Sequence, residues 1–307
     1  MLGRVGGAFA SAYERHLLGG ITGAPEHVAV IQDGNRRYAR TQGEDAPVGH
    51  REGAKTTEQM LQWCEEVGVE ELTLYAFSTE NFNRPPAELA ALFDLLEEKL
   101  REFADVDDVH ENEVCIRAIG DVDRLPARVR EAITYAESRT ADYDGFRLNV
   151  ALAYGGRNEL LRAARDVARA VEAGDLDFDG VNVDEIERRL YDRPVRDVDL
   201  IIRTGGDERT SNFLPWHANG NEAAVFFCTP YWPEFRKIDF LRAVRTYEHR
   251  EESWQRTKAR RAMALLSALG EVELDEARRI IRQLRTRLPQ GERDVVSEVD
   301  VDREIAD

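Results

Sequence analysis

The chain has 307 residues, 59 of them acidic and 42 basic, for a net charge of −17. So acidic a surface excludes nucleic acid as the main partner, because phosphates would be repelled over most of it. With 42% apolar residues and no low-complexity tract, the chain can bury one large α/β core or two small ones, and disorder is not the default.

The basic residues are 4 Lys and 38 Arg. That bias reads as adaptation to high salt, with a GC-rich genome as the plainer alternative. Cys64, Cys115 and Cys228 are far apart and form no CxxC pair, so neither a disulfide framework nor a thiolate zinc site is indicated, and a reducing cytoplasm is expected. No apolar run reaches the ~18 residues that span a bilayer. The opening MLGRVGGAFASAYERHLLGG is broken by Arg4, Glu14 and Arg15, which argues against a signal peptide. Residues 1–26 are expected to form a packing arm, with a membrane-surface anchor as the other possibility.

In chain order, runs rich in Val, Ile, Leu and Phe occur at 27–34, 71–77, 114–121, 147–154, 198–205 and 223–230, and each reads as a buried strand. Segments with helical periodicity lie between them, at about 52–67, 86–104, 125–141, 157–173 and 183–192. The alternation predicts a single α/β domain with a mainly parallel six-stranded sheet flanked by helices. A charged helical stretch follows at about 238–288, closing a catalytic domain expected over 27–288. The acidic tail, 289–307, is expected to be disordered.

In such sheets ligands bind beyond the carboxyl ends of the strands, and the polar clusters DGNRR, STENFNR, YGGR and RTGGD fall there. In the first, Asp33 precedes a Gly34-Asn35 turn that leads into Arg36 and Arg37. This set could hold Mg²⁺ on the carboxylate and phosphate oxygens on guanidiniums and backbone N–H groups. A plain Asp-Gly turn with solvated arginines is the alternative. The second cluster supplies Ser78, Thr79, Glu80, Asn81 and Arg84, and would otherwise be a capping loop before Pro85. The third places Arg203, Arg209 and Ser211 around two glycines, although both arginines could instead pair with Asp207 and Glu208. Five arginines on so acidic a chain suit a diphosphate better than a single phosphate. Neither a GxxxxGK[ST] loop nor a GxGxxG turn after a strand is present, so ATP and NAD are not supported.

Taken in order, HVAVIQDGNRRYAR, GHREGA, LTLYAFSTENFNRP, LNVALAYGGR and DLIIRTGGDERTSNFLPW resemble the five signature blocks of the cis-prenyltransferases, the undecaprenyl diphosphate synthase family. The resemblance, strongest to archaeal members, implies an undecaprenyl diphosphate synthase-like fold with a hydrophobic product tunnel beside the sheet, in a homodimer. It implies repeated cis addition of isopentenyl diphosphate to an allylic diphosphate primer, with Mg²⁺ as cofactor. Geranylgeranyl diphosphate is the expected primer and farnesyl diphosphate the runner-up. The product would be a glycosyl carrier lipid precursor of about eleven isoprene units, released with peripheral contact at the inner face of the membrane.

Carried over by residue, Asp33 is the metal-linked catalytic carboxylate and Glu222 the second metal-side carboxylate. Gly34, Asn35, Arg36 and Arg37 would hold the allylic diphosphate, with His50 nearby, and Tyr38, Ser78, Thr79, Glu80, Phe82, Arg84 and Thr210 are further substrate-binding residues. Arg203, Arg209 and Ser211 would hold isopentenyl diphosphate. Asn81 matches the residue assigned as proton acceptor, but an amide is a very weak base and is expected rather to orient a diphosphate oxygen or water. The chain departs from bacterial relatives at Gln32 (Met there), Tyr38 and Phe82 (Trp), Ala46 (Arg) and Arg36 (Gly), which bears on primer preference. A short-chain synthase and a non-catalytic partner subunit are the competing readings.

Overall fold

The computed structural model describes residues 13–190, 196–217 and 223–267. The chain divides after Glu248 into two compact units, Met1–Glu248 and His249–Asp307. The first holds the whole sheet: β1 (His27–Ile31), β2 (Glu71–Ser78), β3 (Val114–Ile119), β4 (Phe146–Tyr154), β5 (Leu200–Arg203) and β6 (Ala224–Phe227). The order is β3-β4-β2-β1-β5-β6 and every pairing is parallel. All six expected strands are present. Both sheet faces are covered, which is why the strands read as unbroken apolar runs rather than as alternations.

The helices are α1 (Asn35–Thr41), α2 (Ala46–Val67), α3 (Pro86–Asp105), α4 (Asp107–Glu111), α5 (Ala127–Arg139), α6 (Gly156–Ala173), α7 (Val183–Leu190) and α8 (Lys237–Ser267). Helix α2 ends on Gly68 and α6 on Gly174, both left-handed (φ 88° and 76°), where a Cβ would be strained. In the second unit the described residues belong to the end of α8, where Lys258 lies 3.1 Å from the centre of the Trp254 ring.

Strand side chains alternate between two cores. On one face Val28, Val30, Leu72 and Leu74 join Met60, Leu92, Leu100, Ile116 and Leu148. On the other, Ala29, Ile31, Ala151 and Ile201 meet Tyr154, Phe213 and Leu214, and the Tyr75 and Phe213 rings stack 4.5 Å apart.

Chain order runs away from β1 in both directions, through β2 on one side and β5 on the other. The switch between β1 and β5 opens a crevice at their carboxyl ends. The register Ile31↔Arg203 sets Asp33, two residues past β1, beside the end of β5.

Three elements differ from expectation, one of them the short helix α4, which falls between the expected segments 86–104 and 125–141. The stretch after Gly34 is the helix α1 and not merely a turn, and α2 begins at Ala46 rather than near 52. Neither start shows apolar periodicity. Of α1 only Ala39 is buried, and the first buried positions of α2 are Gly49 and Gly53. A Cβ on Gly49 would stand 2.1 Å from the Asn35 carbonyl oxygen, and one on Gly53 2.4 Å from Asn35 Oδ1. This contact is closer than any side chain permits. The expected residue 268–288 helix, the acidic tail, residues 1–12 of the arm and Glu222 lie outside the described residues.

Candidate functional site

Gly34 caps α1 with φ 109°, and a Cβ there would sit 2.6 Å from the Tyr231 ring, so only glycine can make this turn. The turn aims the start of α1 back at the sheet. Asp33 then receives two guanidiniums, Arg37 Nη2 on Oδ1 at 2.9 Å and Arg203 Nη2 on Oδ2 at 2.8 Å. The loop itself is fixed by Thr204, whose hydroxyl donates to the Asp33 carbonyl at 2.7 Å and accepts from its N–H at 3.0 Å. Arg37 also donates to the Gly205 carbonyl at 2.8 Å and lies 5.3 Å over the Tyr231 ring.

Arg203 is almost wholly buried and serves the loop that follows β5. It donates to the Arg209 carbonyl, to the Ser211 hydroxyl and to Asp207 at 3.0 Å. Its Nε is buried without a partner. Asp207 also accepts from Arg209 at 3.1 Å, and Arg209 is otherwise exposed. The pairing of both arginines with Asp207 is thus realised alongside their convergence on the crevice. Thr210 ties the loop locally, its carbonyl accepting from Phe213 N–H. Ser211, Asn212 and Leu214 all have positive φ, and Asn212 fastens this run to the start of α6 through bonds to Gly156 and Arg157 N–H.

A second carboxylate organises the opposite wall. Glu88, buried on α3, accepts from Arg84 at 2.9 Å and lies 3.5 Å from His50 Nε2 and 3.6 Å from Arg36. Arg84 Nη1 also donates to His50 Nε2 at 3.2 Å. Burial, reinforced by the Arg84 charge, pushes the His50 pKa down to about 4, so its imidazole is neutral and able to accept. Burial likewise lowers the pKa of Arg84.

Asp33, Gly34, Asn35, Arg36, Arg37, His50 and Arg84 line one cavity of about 340 Å³, joined by Gln32 and Arg40. An apolar cavity of about 120 Å³ shares Gln32, Asn35 and His50 with it, and runs between α2, α3 and the sheet over Leu74, Leu92, Leu96, Ile116, Leu148 and Trp232. Gln32, one of the departures from bacterial relatives, donates to Thr57 at this junction (2.7 Å).

The second cluster sits differently. Ser78 and Asn81 form a reciprocal cap on a short 3₁₀ helix (Thr79–Asn83), with Asn81 Oδ1 accepting from Ser78 N–H at 3.0 Å. With that oxygen engaged, the amide offers a donor rather than a base. Thr79 packs against Gly155, and Glu80 is exposed. Phe82 lies edge-on to Phe77 at 5.0 Å and under Arg124 at 4.4 Å, within an aromatic cluster. Tyr38 is half-buried on α1 and lies outside the cavity lining. Glu88, Arg40, Thr204 and Tyr231 escaped the sequence reading. The i,i+4 spacing of Arg84 and Glu88 is the signal that could have found the first of these.

Among the described residues no group of three or more His, Cys, Asp or Glu side chains could hold a metal ion by itself, and no helix is long and apolar enough to cross a membrane. Cys64 and Cys115 are buried free thiols and Cys228 is a half-buried one.

The chain matches the family described as "Putative undecaprenyl diphosphate synthase" over residues 31–255. It is 67% identical to the tritrans,polycis-undecaprenyl-diphosphate synthase (geranylgeranyl-diphosphate specific) of Halobacterium salinarum, over 96% of this chain and 97% of that protein. The enzyme of that name from Haloarcula marismortui is 63% identical, over 94% and 95%. Among solved structures, lavandulyl diphosphate synthase from Lavandula x intermedia, in complex with dimethylallyl diphosphate, superposes with a TM-score of 0.69. It is 33% identical and covers 73% of this chain and 95% of its own. With the signature blocks in order on a matching fold, the chain belongs to the undecaprenyl diphosphate synthase family of cis-prenyltransferases.

Proposed function

We propose that the chain condenses isopentenyl diphosphate repeatedly onto geranylgeranyl diphosphate, each addition leaving a cis double bond, to give a polyprenyl diphosphate of about eleven or twelve isoprene units, precursor of a glycosyl carrier lipid. One observation carries this reading: an arginine-lined cavity with Asp33 at its edge shares walls with an apolar cavity running along the sheet. A diphosphate with a long apolar tail has the matching shape.

In this reading the primer diphosphate lies among Arg36, Arg37, Arg84 and the N–H groups at the start of α1, and its chain enters the apolar cavity. Isopentenyl diphosphate lies on the loop after β5, between Arg203, Arg209, Thr210 and Ser211. Asp33 and Glu222 would hold Mg²⁺, and Asp33 fits that role because Mg²⁺ takes one or two carboxylates and completes its shell with phosphate oxygens and water. The ion would supply further charge for the departing diphosphate.

The allylic C–O bond breaks with its electron pair going to the diphosphate, whose growing charge the guanidiniums take up. The double bond of isopentenyl diphosphate attacks the allylic carbon, and a proton leaves the new cation. Asn81, with its carbonyl oxygen already bonded, orients the diphosphate oxygen or water that receives that proton. The protein would act as a homodimer in the cytoplasm, touching the membrane when product leaves.

The test supplies labelled isopentenyl diphosphate with geranylgeranyl or farnesyl diphosphate and reads product mass. Polyprenyl products that vanish with EDTA and return with Mg²⁺ are expected. No incorporation with either primer would refute the assignment.

A further inference from the structure

Four arginines line the polar cavity, and three of them are already paired: Arg37 with Asp33 at 2.9 Å, Arg84 with Glu88 at 2.9 Å, and Arg36 at 3.6 Å from Glu88. Arg40 is the exception. Its guanidinium has no hydrogen-bond or ion-pair partner among the described residues, and its side chain is exposed at the last turn of α1.

The direction of α1 orders that cavity. Asn35, at the start of the helix, is shared with the apolar cavity, as are Gln32 and His50, so a tail leaves the polar cavity there. Arg40 lines the polar cavity only. At 1.5 Å per residue it stands about 7.5 Å farther along the helix than Asn35. It is also one turn beyond Arg36, at the i,i+4 spacing that puts two side chains on a common face with Cβ atoms about 5–6 Å apart. A diphosphate whose tail enters the apolar cavity therefore keeps its inner phosphate beside Asn35 and His50. Its outer phosphate is directed to the step between Arg36 and Arg40.

Charge favours the same assignment. The outer phosphate of a diphosphate monoester carries more charge than the inner one, which is bonded to both the ester oxygen and the bridging oxygen. Arg36, Arg37 and Arg84 divide themselves between a ligand and a tethered carboxylate. Arg40 gives up no internal bond when it takes a phosphate oxygen.

From this, and resting on the polyprenyl synthase reading, we infer that Arg40 binds the outer phosphate of the allylic primer and favours a diphosphate over a monophosphate at this site.

Full-length Arg40→Gln and Arg40→Lys test it, by initial rates with each substrate varied in turn and with geranylgeranyl monophosphate as a competitor of the primer. Arg40→Gln should raise the primer KM about tenfold, the low end for a charge-assisted bond at an exposed position. Its kcat and its KM for isopentenyl diphosphate should change by under about threefold, and Tm by under about 3 °C. The inhibition constant of the monophosphate, which lacks the outer group, should move by less than about twofold. Arg40→Lys keeps the charge and should hold the primer KM within about threefold of wild type. A primer KM within about twofold of wild type in Arg40→Gln would overturn the inference. So would a monophosphate inhibition constant that rises as much as the primer KM, because the effect would then not belong to the outer phosphate. Wild-type protein that incorporates no isopentenyl diphosphate would instead strike down the underlying activity, so the two failures are separable.

Discussion

Arg203 and Arg209 share one proposed ligand but occupy opposite structural situations, and paired substitutions separate the two. The Arg203 side chain is 4% exposed and bonds Asp33, Asp207, Ser211 and the Arg209 carbonyl. Removing one member of a fully buried ion pair costs about 3–5 kcal/mol. Here the penalty is smaller, because Asp33 keeps Arg37 and both carboxylates reach solvent, with side chains 29% and 39% exposed. We expect Arg203→Met to cost about 2–3 kcal/mol, which at 2–4 °C per kcal/mol lowers Tm by about 4–12 °C. The Arg209 side chain is 71% exposed with one partner, so Arg209→Ala should cost under about 1 kcal/mol and shift Tm by less than about 4 °C. Both should raise KM for isopentenyl diphosphate, since a lost charge-assisted bond of about 1.5–3 kcal/mol corresponds to roughly 10- to 140-fold. Calorimetry and initial rates with each substrate varied in turn give the four numbers. Equal melting of the two variants would refute the burial argument, and a rise confined to primer KM would mean that the two diphosphate sites are exchanged.

Asp33→Asn should leave Tm within a few degrees of wild type while lowering turnover at least ~100-fold; turnover within tenfold would sink the carboxylate's assigned role. Glu159, buried on α6 and accepting from Tyr154 Oη at 2.6 Å, is pushed up to about 7 by burial. A carboxyl raised in the fold loses stability as pH climbs from 4.5 through 7, so Glu159→Gln should add about 2–4 kcal/mol at pH 8 and little at pH 4.5, read from urea unfolding at both. His50 and His217 are pushed down to about 4, chiefly by burial, so stability should fall as pH drops from 6.5 toward 4, more steeply in Glu159→Gln, which lacks the opposing gain from protonating Glu159. With a net charge of −17, Tm and turnover should rise together from ~0.1 M to molar KCl as carboxylate repulsion is screened; the highest values in dilute buffer would mark the lysine-poor composition as genomic bias.

The sheet was legible because burial on both faces writes each strand as an uninterrupted Val/Ile/Leu run, and part of the candidate site because DGNRR and RTGGD follow such runs at neighbouring strand ends, whereas STENFNR sends only Arg84 to the cavity. Hidden from the sequence were contacts made by absence or by distance. The first turns of α2 touch Asn35 through glycines, which leave no apolar mark. Thr204 and Tyr231 act through backbone and ring contacts with the Asp33-Gly34 turn, and nothing in their spacing announces it. Which carboxylate each arginine would take was open as well, since Asp207 and Asp33 compete for Arg203 and only the β1–β5 register brings Asp33 within reach.

Five arginines near the crevice share three internal carboxylates: Asp33 serves Arg37 and Arg203, Glu88 serves Arg36 and Arg84, and Asp207 serves Arg209, while Arg40 also lines the cavity. The crevice is therefore only partly neutralised, three carboxylates against five paired arginines, and an incoming anion meets guanidiniums that are already engaged. Chloride, carrying one charge, offers a guanidinium nothing better than the tethered carboxylate it would displace. A diphosphate would offer several charges at once and could bridge two or more arginines. Selection by valence of this kind would keep such a site open to a diphosphate even where monovalent anions outnumber it.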